Sequence, residues 1–429
     1  MKNRVNNNFD NIVTPLELLN IYNSDGKSTG PKESKLYQKF NRELTWDAIL
    51  NEGYQEDLAP MLYYIINKSP VFKTLNIEHR TLNLFVSDEI KDKLKSLCNQ
   101  YLVQNMIQFK ELDTILNAFE KEGIDLIQLK GAWIAKNYYP DPALRPMGDL
   151  DLLVRKEDMK RAKECLMNIG YALAEGPDEE TFEKRHFHFS YVKHNVIFST
   201  VVELHHNISR AKYDFIDYDI REFWENALPI SEAYKHVFTI PKEYLLLHLF
   251  WHTYLNLSNH LYIRLIWLLD IVSIIREHRA DIDWVFIEKK ANKWGIRKRV
   301  YFCLILITQL LHMDFDRSIM EKMRPSQNSL KLFNLIMLRK EENIDAMDPN
   351  RFLIIVFNLI ALNTISEKIQ YFLRYESKKV LTKKERIKRK YNLSSKISIY
   401  LFYLIHPIIL ILKLFKNAYR IFLQKQSDG

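Results

Sequence analysis

The sequence predicts an α+β fold, with a small mixed β-sheet core between large α-helical N- and C-terminal flanks. Three observations predict it. Four short apolar runs, Ile124–Leu129, Leu150–Val154, Phe187–Tyr191 and Val196–Leu204, have the length and branched-residue content of strands. On either side of them, apolar residues recur at three-to-four spacing, the period of a packed helix. Glycine numbers only 10 in 429 residues, too few for a chain built on many tight turns.

The chain is long enough for two or three domains and a sizeable core. Composition shifts divide it into a helical region at 1–122, a core at 123–240, a helical domain at 241–376 and a basic and apolar tail at 377–429. Hydrophobic residues make up 47% and aromatics 13%, which excludes a disordered chain. The net charge is +9, and much of the excess sits near the C-terminus, so it describes a tail more than the whole surface. Cys98, Cys165 and Cys303 are far apart and show no metal-ligand spacing, as suits a reducing compartment. The N-terminal residues lack an apolar signal segment, and a cytoplasmic location is expected.

The first 34 residues are polar. From Leu36 to Leu116 the periodicity is helical, through Trp46, Ile49 and Leu50 and then Leu58, Met61, Leu62, Ile65 and Ile66. Pro60 falls where a first helical turn tolerates it. Ser87–Glu122 reads as one long helix stopped by Gly123. Ile124–Leu129 is the first strand, and Gly131–Tyr139 the helix after it. Pro140, Pro142 and Pro146 then make a stiff, non-helical loop around Arg145.

That loop opens through Gly148 into Asp149-Leu150-Asp151-Leu152-Leu153-Val154. Alternation along a strand puts Asp149 and Asp151 on one face. Two adjacent carboxylates at the end of an apolar strand repel each other and are costly to desolvate, and a divalent cation relieves both costs. Oxygen ligands suit Mg²⁺ or Mn²⁺. A solvated strand edge or a helix cap accounts for the same pair. Lys156–Asn168 is an amphipathic helix with Met159, Ala162, Cys165 and Leu166 inward, closed by Gly170. Phe187–Tyr191 and Val196–Leu204 form a hairpin with its turn at Lys193-His194-Asn195. The second strand delivers Glu203 and, on the same face, His205. Glu203 fits a third metal ligand or a general base, or else an ordinary edge carboxylate.

These pieces together resemble the uncharacterised nucleotidyltransferase family of the polymerase-beta-like superfold. The resemblance rests on Leu129-Lys130-Gly131, on Tyr139–Pro146, on Gly148-Asp149-Leu150-Asp151 and on Glu203-Leu204-His205. His252 and the stretch Arg264–Asp270 extend it, so that it spans Leu126–Ile275, about a third of the chain. The wider superfold opens its phosphate-cradling helix with glycine-glycine or glycine-serine. This chain has Lys130-Gly131-Ala132, a change the narrower family shares.

The resemblance implies a nucleoside triphosphate substrate, with ATP among the candidates, and a divalent cation, Mg²⁺ or Mn²⁺, on Asp149, Asp151 and Glu203. It also implies phosphate or substrate contacts from Lys130, Gly131, Arg145, Gly148, His205 and His252, and an acceptor of unknown kind (small molecule, saccharide or protein). Lys130 stands at a helix N-terminus, where anions are favoured; a solvated lysine is the alternative reading. Arg145 is open to a phosphate or to a structural pair with Asp141 or Asp149. The alternatives to a transferase are an inactive protein of the same fold that tethers a partner at a membrane, and a zinc hydrolase built on His188, His205, His248 and His252. The last two are four apart, a ligand spacing, but no glutamate follows the first.

From Pro241 the pattern is helical again: Tyr244–Tyr254, His260–His278, a helix begun by Asp283-Trp284 and ended by Gly295, then Lys298–His312, Ser329–Leu338 and Arg351–Leu362. Asp270 follows five apolar residues and reads as buried. Arg264 is six positions away on the same helix, nearly two turns, so a partner elsewhere in the core or a substrate is expected. The basic run Lys378–Lys390 precedes an apolar stretch broken by Pro407 and then Lys413, Lys416 and Arg420. This span, 378–420, suits an anionic membrane surface at the inner face of the membrane, and equally a linker with a packed terminal helix. No specific nucleic-acid partner is expected, because no helix-turn-helix, stacking platform or zinc module is present.

Overall fold

The computed structural model describes residues 57–68, 88–174, 187–209, 214–260, 264–338 and 349–371. The expectations for the N-terminal helices around Trp46 and for the basic and apolar span 378–420 lie outside the described residues. Among those described, no helix is long and apolar enough to cross a membrane, and the buried Cys165 and Cys303 are free thiols.

The chain divides into two compact units, Met1–Leu257 with Tyr262–Arg324, and Ser258–Leu261 with Pro325–Gly429. The first unit holds the sheet. Helices α1 (Ala59–Lys68) and α2 (Asp88–Glu122) lead to β1 (Leu126–Gln128), α3 (Ala132–Tyr138) and β2 (Leu150–Val154). Then come α4 (Met159–Asn168), β3 (Ala172–Leu173), β4 (His188–His194), β5 (Ser199–His205), α5 (Arg221–Glu225), β6 (Leu228–Pro229) and β7 (Val237–Thr239). Helices α6 (Lys242–His260), α7 (Leu265–Glu277), α8 (Trp284–Lys293), α9 (Arg297–Leu311) and α10 (Arg317–Met323) follow. In the second unit α11 (Gln327–Leu338) and α12 (Pro349–Ala361) meet through the buried rings of Phe333 and Phe357, 5.6 Å apart.

The seven strands run in the order β3-β4-β5-β2-β1-β7-β6. The sheet is mixed: β2 pairs parallel with β5 and antiparallel with β1, and β1 pairs parallel with β7. Every residue of β2 is buried, which explains its near-continuous apolar run. Its side chains still alternate. Leu150, Leu152 and Val154 enter a core with Leu112, Ile115 and Phe119 of α2 and Ala162 and Leu166 of α4. Asp151 takes the opposite face. Helices therefore do not lie on one side alone: α2 and α4 cover the apolar face, while α6 brings His248 and His252 within electrostatic reach of Asp151.

Several boundaries differ from the expected ones. Strand β4 runs on to His194 and the turn falls at 195–198, beginning two residues later than the turn-like sequence suggests. Side-chain pairs across the ladder, His194 with Ser199 at 2.9 Å and Asn195 with Thr200 at 3.4 Å, close the hairpin there. Helix α6 continues to His260, six residues past Tyr254, and α7 begins only at Leu265. Gly148 does not mark a forced turn, since a Cβ there would meet nothing within 4 Å. The constrained glycine at the site is Gly131, whose φ of +53 is a conformation that L side chains rarely adopt.

The Pro-rich loop is held by two helices. From α2, Asn105 Nδ2 donates to the Pro142 and Arg145 carbonyls at 2.8 Å each, and Gln104 Nε2 to that of Met147 at 2.8 Å. From α7, Asp270 accepts two bonds from Arg145, Nε and Nη2, both at 2.8 Å, and one from the Tyr139 hydroxyl at 2.9 Å. Asp270 is thus the buried residue its sequence context implies, and its partner comes from the core. Removing one member of a buried pair costs about 3–5 kcal/mol, because the other charge is left without compensation. Chemical denaturation of Asp270→Ala against wild type is expected to show a loss of that size, with Tyr139→Phe losing only about 1 kcal/mol, the worth of one hydrogen bond.

Candidate active site

Three strands and one helix start build the site. The parallel register of β2 and β5 pairs Asp151 directly with Glu203. Asp149, one residue before β2, completes the group: one oxygen each of Asp149, Asp151 and Glu203 lie within 4.8 Å of one another. Asp151 is 3% exposed, whereas Asp149 and Glu203 are half-buried, so the group opens to solvent at one end.

Three carboxylates this close repel each other, and the neighbours answer. The Lys130 ammonium lies 2.7 Å from Asp151 Oδ2. His205 Nε2 is 3.2 Å from Asp151 Oδ1 and 3.3 Å from Glu203 Oε2. Ionised carboxylates only accept, so Nε2 carries the proton. The consequences for ionisation follow. The Asp151 charge, then burial, pushes Asp149 up to about 6, against the pull of Lys130. Burial would raise Asp151 too, but Lys130 and His205 outweigh it and hold that carboxyl well below its usual range. Glu203 is lowered, its desolvation more than offset by the bond from His205. Burial opposes the charge on Lys130, yet the three carboxylates raise its pKa. The same balance raises His205.

The lysine-glycine junction places Lys130. The Leu129 amide donates to the Asp151 carbonyl at 3.3 Å, which ties the end of β1 to the middle of β2. Gly131 then turns the chain into α3 with a positive φ, its Cα side facing Asp151 Oδ2 at 3.7 Å for a notional Cβ.

Of the residues singled out in the sequence, Lys130, Gly131, Asp149, Asp151, Glu203 and His205 come together. Gly148 is exposed beside Asp149. Arg145 is buried at 8% exposure and pairs with Asp270, not with Asp141 or Asp149. Its third nitrogen, Nη1, donates to the Pro146 carbonyl at 3.2 Å. His252 stands behind the site on α6, its Nε2 3.2 Å from Asn256 Nδ2 and its ring edge-on to Trp267. Burial and then Lys130 keep it neutral, and the same two causes lower His248 to about 3. The four histidines of the zinc reading do not assemble: among the described residues, His248 and His252 belong to no group of three ligands. Sequence reasoning missed Asn105, Gln104 and Tyr139 as supports of the loop. The signal for Asn105 was a polar residue on the buried stripe it shares with Gln108, Glu111 and Leu112.

An all-oxygen set of three carboxylates suits a hard divalent cation. The raised Asp149 is the mark of a site with more negative charge than Lys130 and His205 neutralise, and a cation fits that deficit.

Comparison with known proteins agrees with this geometry. No curated protein and no solved structure matches the chain. The sequence profile of one family, described as uncharacterised nucleotidyltransferase, matches residues 42–312, more than half of the chain and every residue of the site. The chain belongs to the uncharacterised nucleotidyltransferase family.

Proposed function

We propose that this protein is a metal-dependent nucleotidyltransferase that moves a nucleoside monophosphate from a nucleoside triphosphate to a hydroxyl-bearing acceptor. Family membership supports a nucleotidyltransferase-type function. The observation that carries the finer reading is the convergence of Asp149, Asp151 and Glu203 beside Lys130.

In this reading Asp149 and Asp151 hold a divalent cation, Mg²⁺ or Mn²⁺, together with Glu203. The cation, when bound, neutralises charge on the phosphate oxygens. Lys130 adds a positive charge at the same place, at the start of α3 where unpaired amides also favour an anion. Gly148 leaves open space beside Asp149. The acceptor oxygen attacks the α-phosphorus, the bond to the bridging oxygen breaks, and pyrophosphate leaves with that electron pair. Glu203, half-buried and held by His205, takes the acceptor proton. His205 orients Glu203 and Asp151. Arg145 acts as a positioning residue: its pair with Asp270 fixes the loop that delivers Asp149. The neutral His252 lies near Lys130 without adding charge.

Calorimetric titration of ATP, GTP, CTP and UTP, with and without Mg²⁺, tests the reading. One triphosphate is expected to bind only with Mg²⁺, with binding lost in Asp149→Asn. Absence of binding by every triphosphate to the folded protein sinks the transferase and favours an inactive protein of the same fold. Asp149→Asn is the cleaner variant, because changing Asp151 also strips Lys130 and His205 of their partner.

Asp149 also gives a pH signature. Its folded pKa of about 6 lies above the ordinary carboxylate value of about 4. Between those values the folded state binds a proton that the unfolded state does not, so this residue's contribution to stability falls as pH rises through the window. In chelator, wild type is expected to lose thermal stability relative to Asp149→Asn between pH 4.5 and 7, scanned as melting temperature against pH. Mg²⁺ at pH 7 is expected to restore it in wild type alone.

A further inference from the structure

Cross-strand pairing sets a second group of ligands against the first. His188 on β4 is paired with His205 on β5, and Ser190 with Glu203. His188, Glu203 and His205 therefore share the face that carries Asp151. One ligand atom from each lies within 4.8 Å of the others. His188 Nε2 is 3.7 Å from Glu203 Oε1, and His205 Nε2 is 3.3 Å from Glu203 Oε2, with the two rings 5.0 Å apart. Each oxygen of Glu203 thus faces a different imidazole.

The chemistry of this group differs from that of the carboxylates. Two imidazole nitrogens with one carboxylate oxygen suit Mn²⁺, Co²⁺ or Zn²⁺ better than Mg²⁺, which prefers oxygen alone. His205 keeps its Nε2–H between two carboxylates in the metal-free protein, and a cation that takes this nitrogen displaces that proton. We propose that His188, Glu203 and His205 form a subsite for a borderline transition cation of the Mn²⁺, Co²⁺ and Zn²⁺ class. Glu203 is common to this subsite and to the hard site of Asp149 and Asp151. A shared carboxylate is how two-metal centres hold their ions close, and it makes the site chemically asymmetric, one half oxygen-only and the other half nitrogen-rich.

The subsite does not depend on nucleotidyl transfer and is tested with metal alone, on full-length protein without an affinity tag. X-ray absorption of wild type loaded with one equivalent of Zn²⁺ is expected to show imidazole scattering from two histidines. Titration with Co²⁺, followed by its visible absorption, is expected to show affinity at least about tenfold weaker in His188→Gln, since losing a ligand costs no less than losing an outer-shell partner. Asp149→Asn is expected to keep the Co²⁺ spectrum. An oxygen-only zinc shell in wild type overturns the subsite, as does unchanged Co²⁺ affinity in folded His188→Gln. Either result leaves the nucleotidyltransferase reading standing. A nitrogen-rich shell in a protein that binds no triphosphate does the reverse.

Discussion

Like-charge crowding at Asp149, Asp151 and Glu203 is the constraint on which the rest of the structure turns. Three carboxylates within 4.8 Å store repulsion that a folded chain must offset. Lys130 and His205 offset it for Asp151 and Glu203, which stay ionised. Asp149 is left with the remainder and appears as the weakest acid of the three. The elements around the site can be understood as means of keeping this unfavourable group together. The sheet register fixes two of the carboxylates, and the loop before β2 fixes the third.

That loop depends in turn on a pair far from it in sequence. Arg145 and Asp270 are 125 residues apart, and their two parallel bonds join the sheet region to α7. The Tyr139 hydroxyl donates to the same Asp270, and Asn105 ties the loop to α2. Proline stiffens the backbone between these anchors. A buried ion pair is weak evidence for stability in itself, because desolvation offsets much of the attraction. Its value here is geometric: it sets where Asp149 stands.

The strand-borne part of the site was legible in the sequence, because strand alternation is a strict rule. Asp149 and Asp151 two apart, and Glu203 and His205 two apart, had to share faces once β2 and β5 were recognised. Lys130 and Gly131 were legible only through resemblance, since one lysine at a helix start is an ordinary feature. Arg145 shows where local reading stops. Its neighbours Asp141 and Asp149 were the visible partners, while the true one sits on a helix whose placement no local pattern encodes. The hairpin turn was misplaced for a related reason. Lys193-His194-Asn195 is turn-like in composition, but ladder pairing with Ser199 and Thr200 overrode that preference.

The pairing of Asp151 with Glu203 also ties the core and the acidic face to one frame. A slip of β5 by a single residue against β2 would turn Val202 and Leu204 out of the core and send Glu203 and His205 into it. The cost would be two buried charges or polar rings and two lost apolar side chains, comparable with the whole marginal stability of a domain. A misregistered chain therefore has no stable folded form in which to persist. Quality control that discards unfolded chains would also discard those with a scrambled site, and the surviving population would carry its acidic group correctly assembled without a separate check.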